Sequence, residues 1–267
     1  MISLCQSFSP NRTRKAHASV LCADLENNDI KTAREQPIGN HLDDEDVIIC
    51  GELKRELLLL SSVSDRGLLL SKEEKDIIAD IVTQLSALNP NSDCASQSYG
   101  EWDLVLTSTQ AFRSSPFFQS IRSFLNDRDI AENAFLLHDA ATSSGKVGRV
   151  KQVVNRDGSF VSEVDLEVGV VPGIPFSLRS TVVTTARFEI VGKQQWNLYI
   201  QSTRVKKSNV PILGQILDGD QMELAVGDIY NLLTGGIPIV NLQICYVDDT
   251  LRITRDVDDN IYVFSRA

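Results

Sequence analysis

The stretch Val147-Gly148-Arg149-Val150-Lys151-Gln152-Val153-Val154-Asn155-Arg156-Asp157-Gly158-Ser159-Phe160-Val161-Ser162-Glu163-Val164-Asp165-Leu166-Glu167-Val168-Gly169-Val170 holds two strands and the turn between them. Phe160, Val164, Leu166, Val168 and Val170 alternate with Glu163, Asp165 and Glu167, so one face of the strand is apolar and the other wet. Asp157-Gly158 is the dipeptide favoured where a two-residue hairpin turn needs positive φ. The spacing therefore predicts an antiparallel hairpin with Val147–Val154 as its first arm. Downstream, Val182, Ala186, Phe188 and Ile190 share a face, as do Trp196, Leu198 and Ile200. The chain closes with the short runs Leu242-Ile244-Tyr246, Leu251-Ile253 and Tyr262-Phe264, separated by Asp-rich turns. With Trp102 to Ser108 these make about eight strands, the number at which a closed antiparallel barrel can hold one small ligand.

Upstream the period is helical. Leu53, Leu57 and Leu60 predict a first helix broken between Ser61 and Gly67. Ser71 and Glu74 form a capping box ahead of Ile77, Ile78, Ile81, Val82, Leu85 and Leu88, and Pro90 ends that helix. Ser115 to Leu137 also reads as helical, with Phe117, Phe118, Ile121 and Phe124 as its apolar stripe. Ser208 to Ile239 has mixed character and receives no assignment. The expected fold is mainly β, an antiparallel barrel over 100–267 preceded by a helical hairpin over 50–90.

Residues 1–46 differ from the rest. No acidic residue precedes Asp24, while Arg12, Arg14, Lys15 and five Ser/Thr do. Such a basic, hydroxyl-rich start resembles an organelle transit peptide and lacks the apolar core of a secretory signal. The acidic run Asp43-Asp44-Glu45-Asp46 reads as the end of a solvated linker, and the folded domain is expected over 47–267.

Thirty-six Asp and Glu against 26 Lys and Arg give a net charge of -10, with the basic residues scattered singly. That disfavours nucleic acid and anionic headgroups as partners. The longest apolar runs, such as Leu57–Leu60, are far too short for a transmembrane helix. Cys5, Cys22, Cys50, Cys94 and Cys245 are odd in number and widely spaced, which suggests a reducing compartment and neither a disulfide framework nor a zinc site.

Catalytic and cofactor motifs are missing: there is no GxSxG, no GxxxxGK[ST], no GxGxxG and no HExxH. His138-Asp139 beside Ser143 and Ser144 is a weak triad candidate, because adjacent residues point apart. Asp256-Val257-Asp258-Asp259-Asn260 lacks the glycine and glutamate of a calcium loop and reads as a hairpin turn. No enzyme, cofactor or metal is expected. Trp102, Leu104, Leu106, Val164, Leu166, Phe188, Trp196, Leu198, Tyr246, Leu251 and Phe264 hold inward parity and are the candidate ligand-facing residues, lining either a pocket or a filled core.

Gly100-Glu101-Trp102 resembles the G-x-W that opens the barrel of lipocalins, where the tryptophan plugs one end and an arginine from the last strands packs across its ring. Arg255 and Arg266 are the candidate partners. More of the chain resembles the plastid lipid-associated protein family, the fibrillins. The resemblance rests on Leu53-Lys54-Arg55-Glu56-Leu57-Leu58, Asp65-Arg66-Gly67-Leu68, Leu85-Ser86-Ala87-Leu88-Asn89-Pro90, Gly100-Glu101-Trp102-Asp103-Leu104-Val105-Leu106-Thr107-Ser108, Ser115-Pro116-Phe117-Phe118, Tyr246-Val247-Asp248-Asp249-Thr250-Leu251-Arg252-Ile253-Thr254-Arg255 and Ile261-Tyr262-Val263-Phe264, in that order. Asp256 stands where the family commonly has Gly. The resemblance implies a plastid protein of plastoglobules or thylakoids, a lipocalin-like barrel, and hydrophobic small molecules or lipids (prenylquinones, carotenoids) and a lipid-body or thylakoid surface as partners. Three functions fit it: a carrier with a cavity, a structural coat of lipid bodies without one, and a lipid-modifying enzyme supported only by His138, Asp139 and Tyr246.

Overall fold

The computed structural model describes residues 43–125, 146–169, 177–206, 223–224 and 238–267, all within one compact unit spanning Ile38–Ala267. The central hairpin pairs β2 (Lys146–Val154) with β3 (Ser159–Gly169), Val154 opposite Phe160. Its loop is one residue longer than expected. Gly158 N–H donates to Asn155 O at 3.2 Å, Asn155 N–H donates to Ser159 O at 3.0 Å, and Gly158 takes φ +84. That is a three-residue connection in which glycine fills the left-handed position. Asp157 Oδ1 tightens it by accepting from Ser159 N–H at 2.9 Å.

Six more strands complete the ring: β1 (Gly100–Thr107), β4 (Ser177–Gly192), β5 (Gln195–Lys206), β7 (Ile239–Val247), β8 (Leu251–Arg255) and β9 (Ile261–Arg266). A two-residue strand, β6 (Glu223–Leu224), hangs on β5. The antiparallel order β4-β3-β2-β1-β9-β8-β7-β5 closes because β5 pairs back onto β4 from Thr181↔Lys206 to Gly192↔Gln195. Closure leaves none of the eight strands as a free edge, which is what the sequence pattern anticipated.

Three helices precede the ring. The acidic run expected to be linker is instead the cap and first turn of α1 (Asp44–Val63): Asp43 accepts from Asp46 N–H at 2.8 Å, and the carboxylates of Asp44, Glu45 and Asp46 sit at the positive end of the helix dipole. The capping box of α2 (Lys72–Ala87) forms as read, Ser71 Oγ accepting from Glu74 N–H at 3.2 Å and Glu74 Oε2 from Ser71 N–H at 2.7 Å. Ile78, Ile81, Val82 and Leu85 are buried while Ile77 is exposed. Then α3 (Cys94–Gln97) lies across one end of the ring, where Ala95 N–H donates to Lys193 O at 2.9 Å in the β4–β5 turn. A 3-10 turn (Ala111–Ser114) leads into α4 (Pro116–Leu125); the remainder of the helix expected up to Leu137 lies outside the described residues.

Two large apolar clusters result, with a small third at Phe112 and Phe118. One collects side chains from the inner faces of seven of the eight ring strands, including Trp102, Val150, Phe160, Ala186, Trp196, Leu242 and Phe264. The other sandwiches Leu57, Ile78, Ile81, Val82 and Leu85 of α1 and α2 against Leu106, Tyr246, Leu251, Ile253, Ile261 and Val263 on the outer wall. Strands β1, β7 and β9 are therefore apolar on both faces where the hairpin covers them, while β8 is apolar only outward, through Leu251 and Ile253.

Candidate functional site

The end of the ring beneath α3 is closed by aromatic side chains tied to that helix. Trp102 Nε1 donates to Ser98 O at 2.9 Å and Trp196 Nε1 to Ala95 O at 3.1 Å, so both indoles are buried with their polar atoms satisfied. Phe188 lies 4.9 Å from Trp196 by ring centroids, with Phe160 edge-on at 6.5 Å.

The arginine partner expected for Trp102 is present twice. Arg266 stacks with its guanidinium carbon 4.2 Å from the Trp102 ring, held by Nε donating to Asp249 O at 2.8 Å and Nη1 to Tyr99 O at 3.2 Å. Arg255, the other candidate, stands 4.0 Å from Asp259 and does not reach the tryptophan. The second partner is Arg252. It is fully buried, with its guanidinium 4.6 Å from Phe264, 5.1 Å from Trp102 and 5.8 Å from Trp196. Burial, with the charge of Arg266 adding to it, lowers its pKa to about 9, so it remains cationic at neutral pH.

Eight of the eleven candidate residues join the interior cluster: Trp102, Leu104, Val164, Leu166, Phe188, Trp196, Leu198 and Phe264. Leu106, Tyr246 and Leu251 do not; they lie on the outer wall under α1 and α2. Register shifts between Leu104 and Leu106 in β1 and between Ile244 and Tyr246 in β7 invert the parity that would have pointed the first two inward. Leu251 alternates with Arg252, and the covered outer face takes the leucine while the interior takes the arginine. Sequence reasoning missed Arg252 because it gave Leu251 inward parity, which turns its neighbour outward. The strict alternation Leu251-Arg252-Ile253-Thr254 was the available signal, read on the wrong face.

A polar belt crosses the interior above the aromatic floor. Gln152, Ser162, Thr184 and Thr203 are aligned across β2, β3, β4 and β5, and all four are buried. Thr184 Oγ1 lies 3.2 Å from Thr203 Oγ1, and Gln152 Oε1 accepts from Arg252 Nη2. The 3-10 turn reaches this belt from the other end: Gln152 Nε2 donates to Ser114 O at 3.1 Å, and Ser115 Oγ lies 3.5 Å from Thr184 Oγ1. Val150, Val164 and Val147 continue the wall beyond it. At that end a cleft of about 150 Å³ is bounded by Phe118, Gln119, Val240, Asn241 and Asn260.

The remaining candidates divide. Phe117 and Phe118 pack edge-on at 5.1 Å, and Phe118 lies 4.9 Å from Phe112, so this part of the stripe covers the ring. His138, Asp139, Ser143 and Ser144 lie outside the described residues. Asp256 folds its own turn, with Oδ1 accepting from Asp258 N–H at 2.8 Å and Oδ2 from Tyr262 Oη–H at 2.9 Å. Tyr246 donates to Asp248 at 2.7 Å on the outer wall, and burial first, then that bond, raise its pKa far above the ordinary phenol value. Cys50, Cys94 and Cys245 are free and buried, and burial pushes the Cys245 thiol up to about 11. No helix among the described residues is long and apolar enough to cross a membrane.

A chromoplast-specific carotenoid-associated protein, C2, from an Oncidium hybrid cultivar is 23% identical over 246 residues, covering 81% of this chain and 69% of its own. The PAP/fibrillin family model matches residues 51–265, from α1 to the last strand. With its helical hairpin, its eight-strand ring and a match over most of its length, the chain belongs to the PAP/fibrillin family.

Proposed function

We propose that the protein binds or coats hydrophobic plastid metabolites such as prenylquinones, carotenoids or other lipids at plastoglobules or thylakoids, without catalysing their conversion, and that the basic stretch up to Ala23 carries the plastid address. The observation that carries this reading is the closed ring whose inner wall is apolar on strand after strand, in a member of a family whose chromoplast relative is carotenoid-associated. Apolar surface withdrawn from water there gains about 25 cal/mol per Å². Trp102, Leu104, Val164, Leu166, Phe188, Trp196, Leu198 and Phe264 are the proposed lining. Protein purified from plastids should yield a stoichiometric apolar compound on organic extraction; an empty extract counts against binding in the interior.

A second reading, a lipid-body coat, is favoured by a different observation. Leu59, Val63, Leu68 and Leu69 at the tip of the α1–α2 hairpin are each more than 60% exposed. Leucines held in water at this density suit insertion into a lipid monolayer. Flotation with neutral-lipid droplets should be lost on Leu68→Asp with Leu69→Asp if the coat reading holds, and should be unaffected if binding resides in the interior alone.

A further inference from the structure

The α1 helix is apolar on two sides. Cys50, Leu57 and Ser61 are buried against the rest of the domain, while Val47, Ile48, Leu58, Leu59 and Val63 look away from it, each 45% or more exposed. A helix that is hydrophobic all round is ordinarily covered all round. The centre line of its solvent side is Ile48, Glu52, Arg55 and Leu59, spaced four, three and four residues apart, which is the spacing of a coiled-coil seam. Glu52 and Arg55 are both exposed. The set has the same form from either end: an apolar residue, a charge, the opposite charge, an apolar residue. Laid antiparallel on a copy of itself, it sets Ile48 of one copy opposite Leu59 of the other and Glu52 of one opposite Arg55 of the other. Each pairing occurs twice, because a two-fold axis makes every contact reciprocal. Gly51 flanks the seam, and a Cβ built there would have nothing within 4 Å. Its missing side chain serves no contact within the described chain, whereas it lets a second helix backbone approach closely.

We propose that the outer face of α1 is an interface between two copies of this chain, packed antiparallel about a two-fold axis with the Glu52 and Arg55 pairs at its centre and the Ile48 and Leu59 pairs on either side. Two molecules of net charge -10 repel one another, so indiscriminate association is disfavoured and a register that meets opposite charges is selected. A helix of 20 residues is about 30 Å long, and one such pair lies at the low end of interface sizes, so the dimer is weak, with a Kd on the order of micromolar. Leu68 and Leu69 lie past the end of α1 and stay available to a lipid surface. The dimer thus neither requires nor contradicts binding in the ring or at the hairpin tip.

The test is sedimentation velocity of the full chain in about 0.15 M salt, where repulsion beyond roughly 8 Å is screened, from about 1 µM to about 1 mM protein. A concentration-dependent dimer is expected. Glu52→Arg and Arg55→Glu each place four like charges at the centre of the seam and should each weaken the dimer roughly tenfold or more. The double exchange, Glu52→Arg with Arg55→Glu, should restore it, a recovery that damage to the helix would not give. Both side chains are exposed, so thermal melts of the three variants should match that of the unmodified protein. A monomer at every concentration overturns the proposal, and so does a dimer that all three variants leave unchanged. In the monomer case, loss of flotation with neutral-lipid droplets in Ile48→Asp would assign the face to lipid instead.

Discussion

Two glycines show how differently one residue type is used. Gly67, at φ +98, lies so close to β1 that a Cβ there would meet Thr107 O at 1.8 Å, whereas Gly51 in mid-α1 has open space around it. Gly67→Ala should cost about 2 kcal/mol or more, from strain at positive φ and the backbone clash together. Gly51→Ala should raise stability by about 0.5 to 1 kcal/mol, through helix propensity. Urea denaturation of the two variants checks both signs. Asp248 gives a pH prediction. Burial alone would raise its pKa, but hydrogen bonds from Lys54 Nζ at 2.7 Å, from Tyr246 Oη and from the Thr250 and Leu251 N–H groups outweigh it and hold the carboxyl at about 2. The folded pKa lies below the unfolded value of about 3.9, so the stabilisation is complete above that value and drains away as pH falls toward 2. Asp248→Asn should lose on the order of 2 kcal/mol at pH 7 and show a shallower acid limb, seen by comparing urea midpoints at pH 7 and pH 3.

At the scale of elements, the α1–α2 hairpin is attached by a few contacts that make it part of the domain. Arg66 donates to Gly148 O at 2.6 Å and to Val147 O, Ser61 Oγ donates to Val105 O, and Lys54 reaches Asp248. Beneath them Leu57 is completely buried while its neighbour Leu58 is 45% exposed. Leu57→Ala should therefore cost about 2 to 5 kcal/mol by opening a cavity between hairpin and wall. Leu58→Ala should stay within about 0.5 kcal/mol. Thermal melts of the pair distinguish a docked hairpin from a loosely tethered one, for which both changes would be small. The helices and the β2–β3 hairpin were readable because each depends on local chemistry: a capping box, a 3.6 period, an Asp-Gly turn. Leu106 and Tyr246 were not, because a β-bulge inserts one residue and leaves no mark in composition.

For the whole molecule, net charge and surface pattern lead to a prediction about lipid contact. With a charge of -10, attraction to headgroups cannot be the driving force, and what the surface offers lipid is leucine. Co-flotation with neutral-lipid droplets should then persist at about 1 M salt, where the Debye length shrinks to about 3 Å; release by salt would point to ion pairing instead. Alternation along β3, β4 and β5, the helical periods ahead of them and the order of motifs from Leu53 to Phe264 determined the strand number, the preceding hairpin and the family, because each is written in neighbouring residues. Only the tertiary structure decided which apolar face was inside. The hairpin buries the outer wall of β1, β7, β8 and β9 as completely as the ring buries the inner one, so in β1, β7 and β9 hydrophobicity carries no direction and in β8 the apolar face is the outer one. Arg252 could point inward among three aromatic rings for the same reason: its neighbours Leu251 and Ile253 found their apolar partners on the outside, on helices contributed from nearly 200 residues away in the chain.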